Sequence, residues 1–310
     1  MSFDRQSLIA ACTAHGNVAR VVVTAVRGSA PREVGAAMLV WQDGFSGTIG
    51  GGALEHHAMQ SARAALERPG RRSTRHALGP DLGQCCGGSV DLLTEVYHVE
   101  TATALPEDLI LRGDGEIPLA VARLRADFER TGRLPQPQQI GGWMVEPVST
   151  PTRELWIWGA GHVGRALVDV IAPLPEVAVT WVDTETARFP KQVSPHVNVI
   201  AATQPAKLVA YAPASAEHII VTYSHDLDLE LCHQLLRHGF GSAGLIGSAT
   251  KWARFRSRLG ALGHSPDDIS RITCPIGTPE LGKHPQAIAI GVAQEFLNSV
   301  RWPAHLKGTA

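Results

Sequence analysis

Hydrophobic residues in the second half of the chain fall in short runs that alternate with longer amphipathic segments. The short runs predict strands, at 155–159, 177–182, 197–201, 218–223 and 242–246. The longer segments predict helices near 162–172, 227–238 and 248–261, and a last helix from Pro285 to Val300. Strands that alternate with helices form a parallel sheet with helices on both faces. We therefore expect an α/β fold with a Rossmann-like sheet in this half.

The first half has a different pattern, which predicts a smaller α+β domain. Strand-like runs occupy 18–26, Ala37 to Trp41 and Val90 to Val99, and helical composition extends from Ala53 to Glu67. Segment 101–150 is rich in proline and glycine and shows short strand-like runs. The run Ser149-Thr150-Pro151-Thr152 suits neither helix nor strand. We place the boundary there, giving domains at 1–150 and 151–310.

The first predicted strand of the second domain leads directly into a G-x-G-x-x-G motif. Gly159 would allow the tight turn, Gly161 would let a phosphate approach the backbone, and Gly164 would let the helix pack on its strand. The helix N-terminus offers unpaired N–H groups to an anion. Asp183 ends the second strand, where a ribose-binding carboxylate is expected in a dinucleotide site. The context predicts a Rossmann-type unit, but fold alone does not fix function.

Composition narrows the class of protein. The chain has 310 residues, of which 44% are hydrophobic and 18% charged, and this excludes a disordered chain. A net charge of −1 provides no basic field for nucleic acid. No apolar run approaches the length of a membrane span, and the N-terminal residues do not resemble a signal peptide. We expect a cytoplasmic protein without nucleic-acid or membrane partners.

The five cysteines are an odd number, and none forms a C-x-x-C pair. Reduced thiols are the natural interpretation in a cytoplasmic protein, and a structural zinc site has little support. Cys85-Cys86-Gly87-Gly88 contains two adjacent cysteines, whose mutual disulfide would be strained. Two interpretations remain open for this motif: a buried apolar residue, or a thiolate that holds a soft metal or exchanges sulfur.

Two further glycine motifs also have two interpretations each. Gly50-Gly51-Gly52 precedes the first long helix, either as a tight turn or as a second anion cradle. Glu55 lies in the first turn of that helix, where capping would also explain it.

Gly247-Ser248 precedes a basic helix and also has two interpretations. The pair could form a phosphate site, or Ser248 could be a simple N-cap. His225-Asp226 lies at the end of another strand, but no nucleophile motif accompanies this pair.

Taken together, these segments resemble the XdhC/CoxI family, and its xanthine dehydrogenase branch in particular. The matching motifs span nearly the whole chain: Gly28-Ser29-Ala30-Pro31-Arg32, Gly35-Ala36-Ala37-Met38, Gly47-Thr48-Ile49-Gly50-Gly51-Gly52-Ala53-Leu54-Glu55, Cys85-Cys86-Gly87-Gly88, Gly159-Ala160-Gly161-His162-Val163-Gly164, Gly244-Leu245-Ile246-Gly247-Ser248 with Lys251, and Cys274-Pro275-Ile276-Gly277. The phosphate fingerprint alone is generic, whereas the combination is specific.

The resemblance implies a non-catalytic accessory protein. Such proteins bind the molybdenum cofactor, protect it while a cysteine desulfurase supplies its terminal sulfido ligand, and insert it into apo-xanthine dehydrogenase. The sequence leaves the oligomeric state open, and a homodimer is the usual default for soluble oligomers. A backbone cradle at a helix N-terminus suits the phosphate of this pterin cofactor, and a thiolate suits its molybdenum.

The motifs and the resemblance together give the candidate cofactor-binding residues: Gly50, Gly51, Gly52, Glu55, Cys86, Gly87, Gly159, Gly161, His162, Gly164, Asp183, His225, Gly247, Ser248 and Lys251. Cys86 matches the family's cysteine and is the candidate contact to molybdenum or sulfur, although Cys85 could substitute for it. Family members often have Thr-His-x-His-x-x-Asp near the fourth strand. This chain has Tyr223 at the first histidine, while His225 and Asp228 keep their places.

Two other functions remain open. An NAD-dependent oxidoreductase would use Asp183 for the ribose of NAD, but it would leave the triple glycine and Cys-Cys-Gly-Gly without a role. A nucleotide-sensing regulatory module would bind NAD or another nucleotide at the Rossmann site and perform no chemistry. We favour the cofactor carrier, because it accounts for the motifs of both halves.

Overall fold

The computed structural model describes residues 2–68, 70–79, 87–194 and 196–299. The chain divides into two compact units, Met1–Thr150 and Pro151–Ala310. Antiparallel sheets and helices build the first unit, and a six-stranded parallel sheet with helices around it builds the second. The α/β fold class expected from the sequence is therefore confirmed. None of the described helices combines the length and apolar composition needed to cross a bilayer.

The first unit contains two antiparallel sheets. Its strands are β1 (Val18–Arg27), β2 (Ala37–Val40), β3 (Phe45–Gly47), β4 (Arg71–Ala77), β5 (Ser89–Tyr97), β6 (Leu109–Arg112), β7 (Gln138–Ile140) and β8 (Trp143–Pro147). Its helices are α1 (Arg5–His15), α2 (Gly52–Leu66), α3 (Val99–Thr103) and α4 (Leu119–Thr131). The larger sheet has the order β3-β2-β1-β5-β4, and the smaller has the order β6-β8-β7.

Strand β1 is central in the larger sheet and is buried on both faces. Alternate residues of a strand face opposite sides. Val21 and Val23 pack with α2 residues such as Ala62 in one apolar cluster. On the other face, Val22 packs with Leu93 and Met144. This two-sided burial explains why residues 18–26 form a nearly continuous apolar run.

The second unit has strands β9 (Arg153–Trp158), β10 (Val177–Asp183), β11 (Val197–Ala201), β12 (Glu217–Ile220), β13 (Ser242–Leu245) and β14 (Ile272–Thr273). Its helices are α5 (His162–Ile171), α6 (His225–His238), α7 (Ala249–Ala261), α8 (Pro266–Ser270) and α9 (Pro285–Ser299). All strand pairs are parallel, in the order β11-β10-β9-β12-β13-β14. The order reverses beside β9, and ligands bind at the carboxyl ends of strands at such a point.

Helices cover both faces of this sheet. Leu155 and Ile157 of β9 pack with residues of α5 and α9. The alternate residues Trp156 and Trp158 face the opposite side, in a cluster with residues of α6 and α7. A strand that is buried on both faces has no polar alternation, as the apolar run at 155–159 predicts.

Several elements differ from the sequence expectation: α1, β3, β4, α8 and β14 were not predicted, and three further differences follow. The strand expected at 218–223 ends at Ile220, because Thr222 bonds to Asp228 through both its backbone N–H and its hydroxyl, and so turns the chain away from the sheet. Helix α6 begins at His225, two residues earlier than expected, since Ser224 caps it by accepting the N–H of Leu227. Segment 101–150, expected to have only short strands, also contains α4.

Candidate functional site

The glycine loop between β9 and α5 has the geometry that its spacing predicts. Gly159 has φ +121°, and a Cβ there would lie 2.5 Å from the carbonyl oxygen of Val221. A Cβ on Gly164 would overlap the carbonyl oxygen of Gly159, so a larger residue would push α5 off its strand. A Cβ on Gly161 would meet nothing within 4 Å. Gly161 therefore leaves open space at the α5 N-terminus, beside the exposed His162, where an anion is favoured.

Asp183, at the end of β10, holds this loop in place. Its carboxylate is 3% exposed. Oδ2 accepts the backbone N–H of Ala160 at 2.5 Å, and Oδ1 accepts that of Thr184 at 2.6 Å. The Arg188 guanidinium lies 2.8 Å from Oδ1. These bonds fix the carboxylate at the loop, and Oδ2, which accepts one of them, keeps a second lone pair for a ribose hydroxyl.

A cavity of about 440 Å³ opens beside this carboxylate, at the carboxyl ends of β10, β11 and β12. Thr184, Lys207 and Tyr223 are among the residues of its wall. Tyr223 stands where the family pattern has its first histidine, and the Arg188 guanidinium stacks on its ring at 4.1 Å from the centroid. The cavity reaches Thr184, next to Asp183 in the chain, but none of the described residues of the glycine loop lines it.

On the other side of the glycine loop, hydrogen bonds join β12, α6 and α7. Asp228 is 1% exposed. Its Oδ1 accepts the Thr222 hydroxyl at 2.7 Å, and its Oδ2 accepts the Lys251 ammonium at 2.6 Å. Lys251 also donates to the carbonyl of Ile246 at 3.0 Å. The ammonium is therefore fixed at the carboxyl ends of β12 and β13, while His225 is exposed at the start of α6.

Gly247 and Ser248 lie between Lys251 and a thiol. Ser248 Oγ accepts the backbone N–H of Lys251 at 3.1 Å, so its capping interpretation is confirmed. A Cβ on Gly247 would lie 2.9 Å from Lys251 Cδ and 3.3 Å from Cys274 Sγ. Burial raises the pKa of the Cys274 thiol to about 11, and the nearby charge of Lys251 only partly offsets this. The thiol is therefore protonated at neutral pH.

The triple glycine of the first unit forms a second loop, between β3 and α2. All three glycines have positive φ, as left-handed or otherwise strained turns require. Glu55 Oε2 accepts the Thr48 hydroxyl at 2.5 Å and the backbone N–H groups of Ile49 and Gly51, each at 3.1 Å. The carboxylate organises this loop, as its capping interpretation predicts. A Cβ on Gly51 would meet nothing within 4 Å, so the loop also has an open side.

Other glycine motifs of the first unit meet this loop. A Cβ on Gly50 would overlap the ring of Pro31, and a Cβ on Gly28 would lie 3.2 Å from Gly88 Cα. Three segments that are far apart in sequence therefore contact one another at one end of the larger sheet. Gly87 is exposed beside them. Cys85 and Cys86, the candidate thiols of this motif, lie outside the described residues.

Two models of known protein families match this chain. A model described as the XdhC Rossmann domain matches residues 155–296, and a model described as the XdhC and CoxI family matches residues 11–77. The matches fall in different units and together cover most of the chain. The chain belongs to the XdhC and CoxI family. The resemblance inferred from the sequence is confirmed.

Two other proteins are similar to this chain. The protein YqeB of Escherichia coli (strain K12) is 26% identical over 281 residues, which are 87% of this chain and 41% of that protein. The chain thus spans about two fifths of the length of this curated relative. The crystal structure of a xanthine dehydrogenase from Bacillus halodurans is similar to this chain, with a TM-score of 0.66 at 18% identity. It covers 99% of this chain and 98% of that chain, so the two share one fold.

The two family matches include most of the candidate residues. The XdhC Rossmann domain match contains the glycine loop, Asp183, His225 and the Lys251 cluster. The XdhC and CoxI match contains Gly50 to Glu55 and ends before Cys86. Within the described ranges, no group of three or more histidine, cysteine or acidic side chains is arranged to hold a metal ion.

Sequence reasoning missed two contacts of the second unit. Arg188 pairs with Asp183 from a short 3-10 helix, and no motif marks that position. Cys274 reaches Gly247 because β14 places it beside β13, but a two-residue strand leaves no periodic pattern in a sequence. The family motif Cys274-Pro275-Ile276-Gly277 was the one available indication of the second contact.

Proposed function

We propose that this protein is an accessory protein of xanthine dehydrogenase maturation. It binds the molybdenum cofactor, protects it while a cysteine desulfurase donates sulfur, and inserts it into the apo-enzyme. The observation that carries the proposal is the assembly of the family's glycine motifs into two open backbone loops, one in each unit. The carrier itself performs no redox step.

The open space at Gly161 fits the phosphate of the cofactor. A cradle that a side chain would fill, at the N-terminus of a ten-residue helix, supplies backbone N–H groups and a favourable dipole. Gly161 and His162 would hold the phosphate there, and Gly51 offers a second cradle in the other unit. When bound, the cofactor supplies the molybdenum centre of the dehydrogenase.

Cys86 is the proposed contact to molybdenum or sulfur. A thiol must lose its proton to ligate a metal or to attack sulfur. Burial raises the pKa of Cys12 and of Cys274 to about 11 and raises that of Cys232 as well. The three described thiols are therefore poor ligands, which leaves the Cys85-Cys86 pair. Cys86 is preferred because it matches the family's cysteine.

Nucleotide binding at the Rossmann site is a second candidate function, favoured by the cavity of about 440 Å³ beside Asp183. It is compatible with the carrier, because a sensor or a carrier can bind NAD without turning it over. An NAD-dependent oxidoreductase has less support, since it would also need a proton-transfer pair, which the sequence does not indicate.

Single substitutions test the proposed contacts. Gly161 has φ −72° and open space around its Cβ position, so Gly161→Ala folds normally and only fills the cradle. We expect it to reduce retention of molybdenum cofactor about tenfold or more, equivalent to roughly 1.4 kcal/mol. Cys86→Ala should lower retention or transfer without unfolding the protein. Retention is measured as cofactor bound per chain after anaerobic gel filtration.

Two controls make this test specific. Gly70→Ala also adds a methyl group in open space but lies outside both loops, and it should retain the cofactor like the wild type. Cys85→Ala separates the two adjacent thiols. Equal retention in Gly161→Ala and Gly70→Ala would remove the α5 cradle from the site, and unchanged retention and transfer in Cys86→Ala would remove that thiol.

A further inference from the structure

A second cavity of the Rossmann unit meets the site described above only at Cys274. It measures about 770 Å³ and lies between α7, α8 and the edge strand β14. Small-molecule sites typically occupy roughly 300–1,000 Å³. Trp252, Arg256 and Gly260 line it from one face of α7, since residues four apart share a helix face. Thr273 and Cys274 line it from the end of β14.

Two polar groups of this wall, on Arg256 and Trp252, are hydrogen-bond donors that remain unused. The Ser270 hydroxyl donates to the Asp267 carbonyl, and the His264 ring is bonded to His233. Within residues 2–68, 70–79, 87–194 and 196–299, the Arg256 guanidinium forms neither an ion pair nor a hydrogen bond, and the Trp252 indole N–H has no acceptor. No aspartate or glutamate belongs to the described lining. The cavity therefore offers an anion the uncompensated positive charge of Arg256. It also offers the guanidinium and the Trp252 indole N–H as hydrogen-bond donors without acceptors among the described residues.

The other ionisable groups of the cavity wall do not neutralise the positive charge of Arg256. His264 lines the cavity, and its ring nitrogen lies 2.7 Å from that of His233. Burial and the neighbouring His233 lower the pKa of His264, so this ring is neutral at pH 7. The Cys274 thiol is protonated at that pH and is itself a weak donor. Arg256 is the cation that an anion would find here.

The apolar part of the cavity is suited to a flat group. Ile269 and Ile272 are buried beneath it, and Trp252 presents an indole ring. Aromatic rings stack on other flat rings, and a guanidinium binds carboxylate or phosphate through two parallel hydrogen bonds. An occupant with a planar ring, acceptor atoms and an anionic substituent would satisfy all of these groups.

We infer that this cavity binds a planar heteroaromatic ring bearing an anionic group, with Trp252 against the ring and Arg256 on the anion. This deepens the proposed function and rests on it in one respect: the pterin of the molybdenum cofactor is a ring of this class with a phosphate, and that phosphate would bind Arg256 as the alternative to the α5 loop. The cavity would then receive the ring of the cofactor that the protein carries.

Equilibrium dialysis of the full chain against pterin-6-carboxylate tests this inference. We expect one probe per chain, with affinity at least about tenfold higher than for unsubstituted pterin, because only the carboxylate engages Arg256. Arg256→Gln should lose that difference. The residue is exposed and bonded to no other described group, so this variant keeps its fold.

Arg254→Gln is the matched control. It removes the same charge from an exposed position of α7 that does not line the cavity. It should bind the probe like the wild type. Equal weakening in Arg254→Gln and Arg256→Gln would mean that only the net charge of the helix matters and would overturn the inference, as would absence of probe binding to the wild type.

The thiol at the cavity wall provides a second readout. Bound pterin-6-carboxylate should slow alkylation of Cys274, followed by mass spectrometry of its peptide, in the wild type but not in Arg256→Gln. Alkylation at the same rate with and without the probe would place the ligand elsewhere.

Cofactor retention separates this inference from the proposed function. Loss of cofactor in Arg256→Gln but not in Arg254→Gln supports both. Full retention in Arg256→Gln would overturn the cavity as the ring site and leave the carrier function intact. Probe binding at Arg256 in a protein that retains no molybdenum cofactor would contradict the carrier and leave the cavity as a site for another ligand of the same chemistry.

Discussion

Glu55 and Asp183 each bind the backbone of a glycine loop through a carboxylate. Glu55 accepts the N–H groups of Ile49 and Gly51, and Asp183 accepts that of Ala160. These bonds hold each loop in an open conformation in front of a helix N-terminus. An anion needs that open space in order to reach the backbone N–H groups. Glycines are too flexible to maintain this conformation without such bonds. At the scale of single residues, the two carboxylates therefore fix the backbone conformation of the loops for anion binding.

The sequence predicted the positions of both acids, and for Asp183 it predicted a ligand as the partner. A motif gives spacing along the chain, whereas the partner depends on burial. Asp183 is 3% exposed because Arg188 and the loop enclose it. Its interaction with backbone N–H groups could not be seen in a pattern of residue types.

The loop-holding role of Asp183 predicts a stability effect. Asp183→Ala would leave the buried N–H of Ala160 without its acceptor and Arg188 without its partner. We expect a loss of about 2–4 kcal/mol in the free energy of unfolding, measured in urea. Asp169→Ala, at an exposed position of α5, should change it by less than about 0.5 kcal/mol. Unchanged stability in Asp183→Ala, with loss of NAD binding, would instead favour the ribose contact.

The buried ring of His218 should make the free energy of unfolding depend on pH. The ring is 1% exposed, accepts the Trp158 indole N–H at 3.2 Å, and has its pKa lowered to about 4, mainly by burial. Because the unfolded chain titrates near 6.5, it binds more protons than the folded chain between these values. Stability should therefore fall by about 2 kcal/mol from pH 7 to pH 5 through this residue.

The measurement is urea unfolding of wild type and His218→Gln at both pH values. The variant should lose this part of the pH dependence, whereas His98→Gln, at an exposed position, should keep it. The same pH dependence in wild type and His218→Gln would contradict the assignment of a neutral buried ring.

At the scale of elements, buried charges join the two sheets of the first unit. Glu146 of β8 is fully buried and accepts both guanidinium ends of Arg20 from β1, at 2.8 and 3.0 Å. Arg112 of β6 pairs with Glu146 and with Glu95 of β5. The pairs themselves add little net stability, since desolvation offsets their attraction.

Removing one partner should nevertheless be costly. Glu146→Gln would leave two buried guanidinium groups with reduced compensation, and we expect a loss of about 3–5 kcal/mol in the free energy of unfolding. Glu129→Gln, in an exposed pair with Arg125, should cost less than about 1 kcal/mol. Thermal and urea unfolding compare the two variants. A similarly small effect of both substitutions would show that the buried network is dispensable.

Elements with strong periodicity were predicted well, and weakly buried ones were missed. Strands β9, β10 and β13 and helices α5 and α7 lie close to the expected ranges because their apolar residues enter a core. Helix α4 was missed since Val121 is its one fully buried residue and Pro118 provides no side-chain cap. Gly132, which ends the helix in the left-handed conformation, was a usable C-cap indication.

At the scale of the molecule, each unit carries a glycine loop that opens at a helix N-terminus. The sequence predicted both loops from spacing, because glycine motifs report backbone requirements directly. It did not predict the Lys251–Asp228–Thr222 bonds or the cavity at Trp252, since these depend on how α6, α7 and β14 pack. Family membership connects the two loops to one proposed task, the handling of the molybdenum cofactor.

The most direct test of that task is anaerobic purification of the full chain with molybdenum cofactor, alongside a titration with NAD. We expect retention of the cofactor in stoichiometric amount, followed by activation of apo-xanthine dehydrogenase when the two proteins are mixed. Absence of cofactor retention, together with tight NAD binding and turnover with a carbonyl substrate, would contradict the proposed function and identify an oxidoreductase.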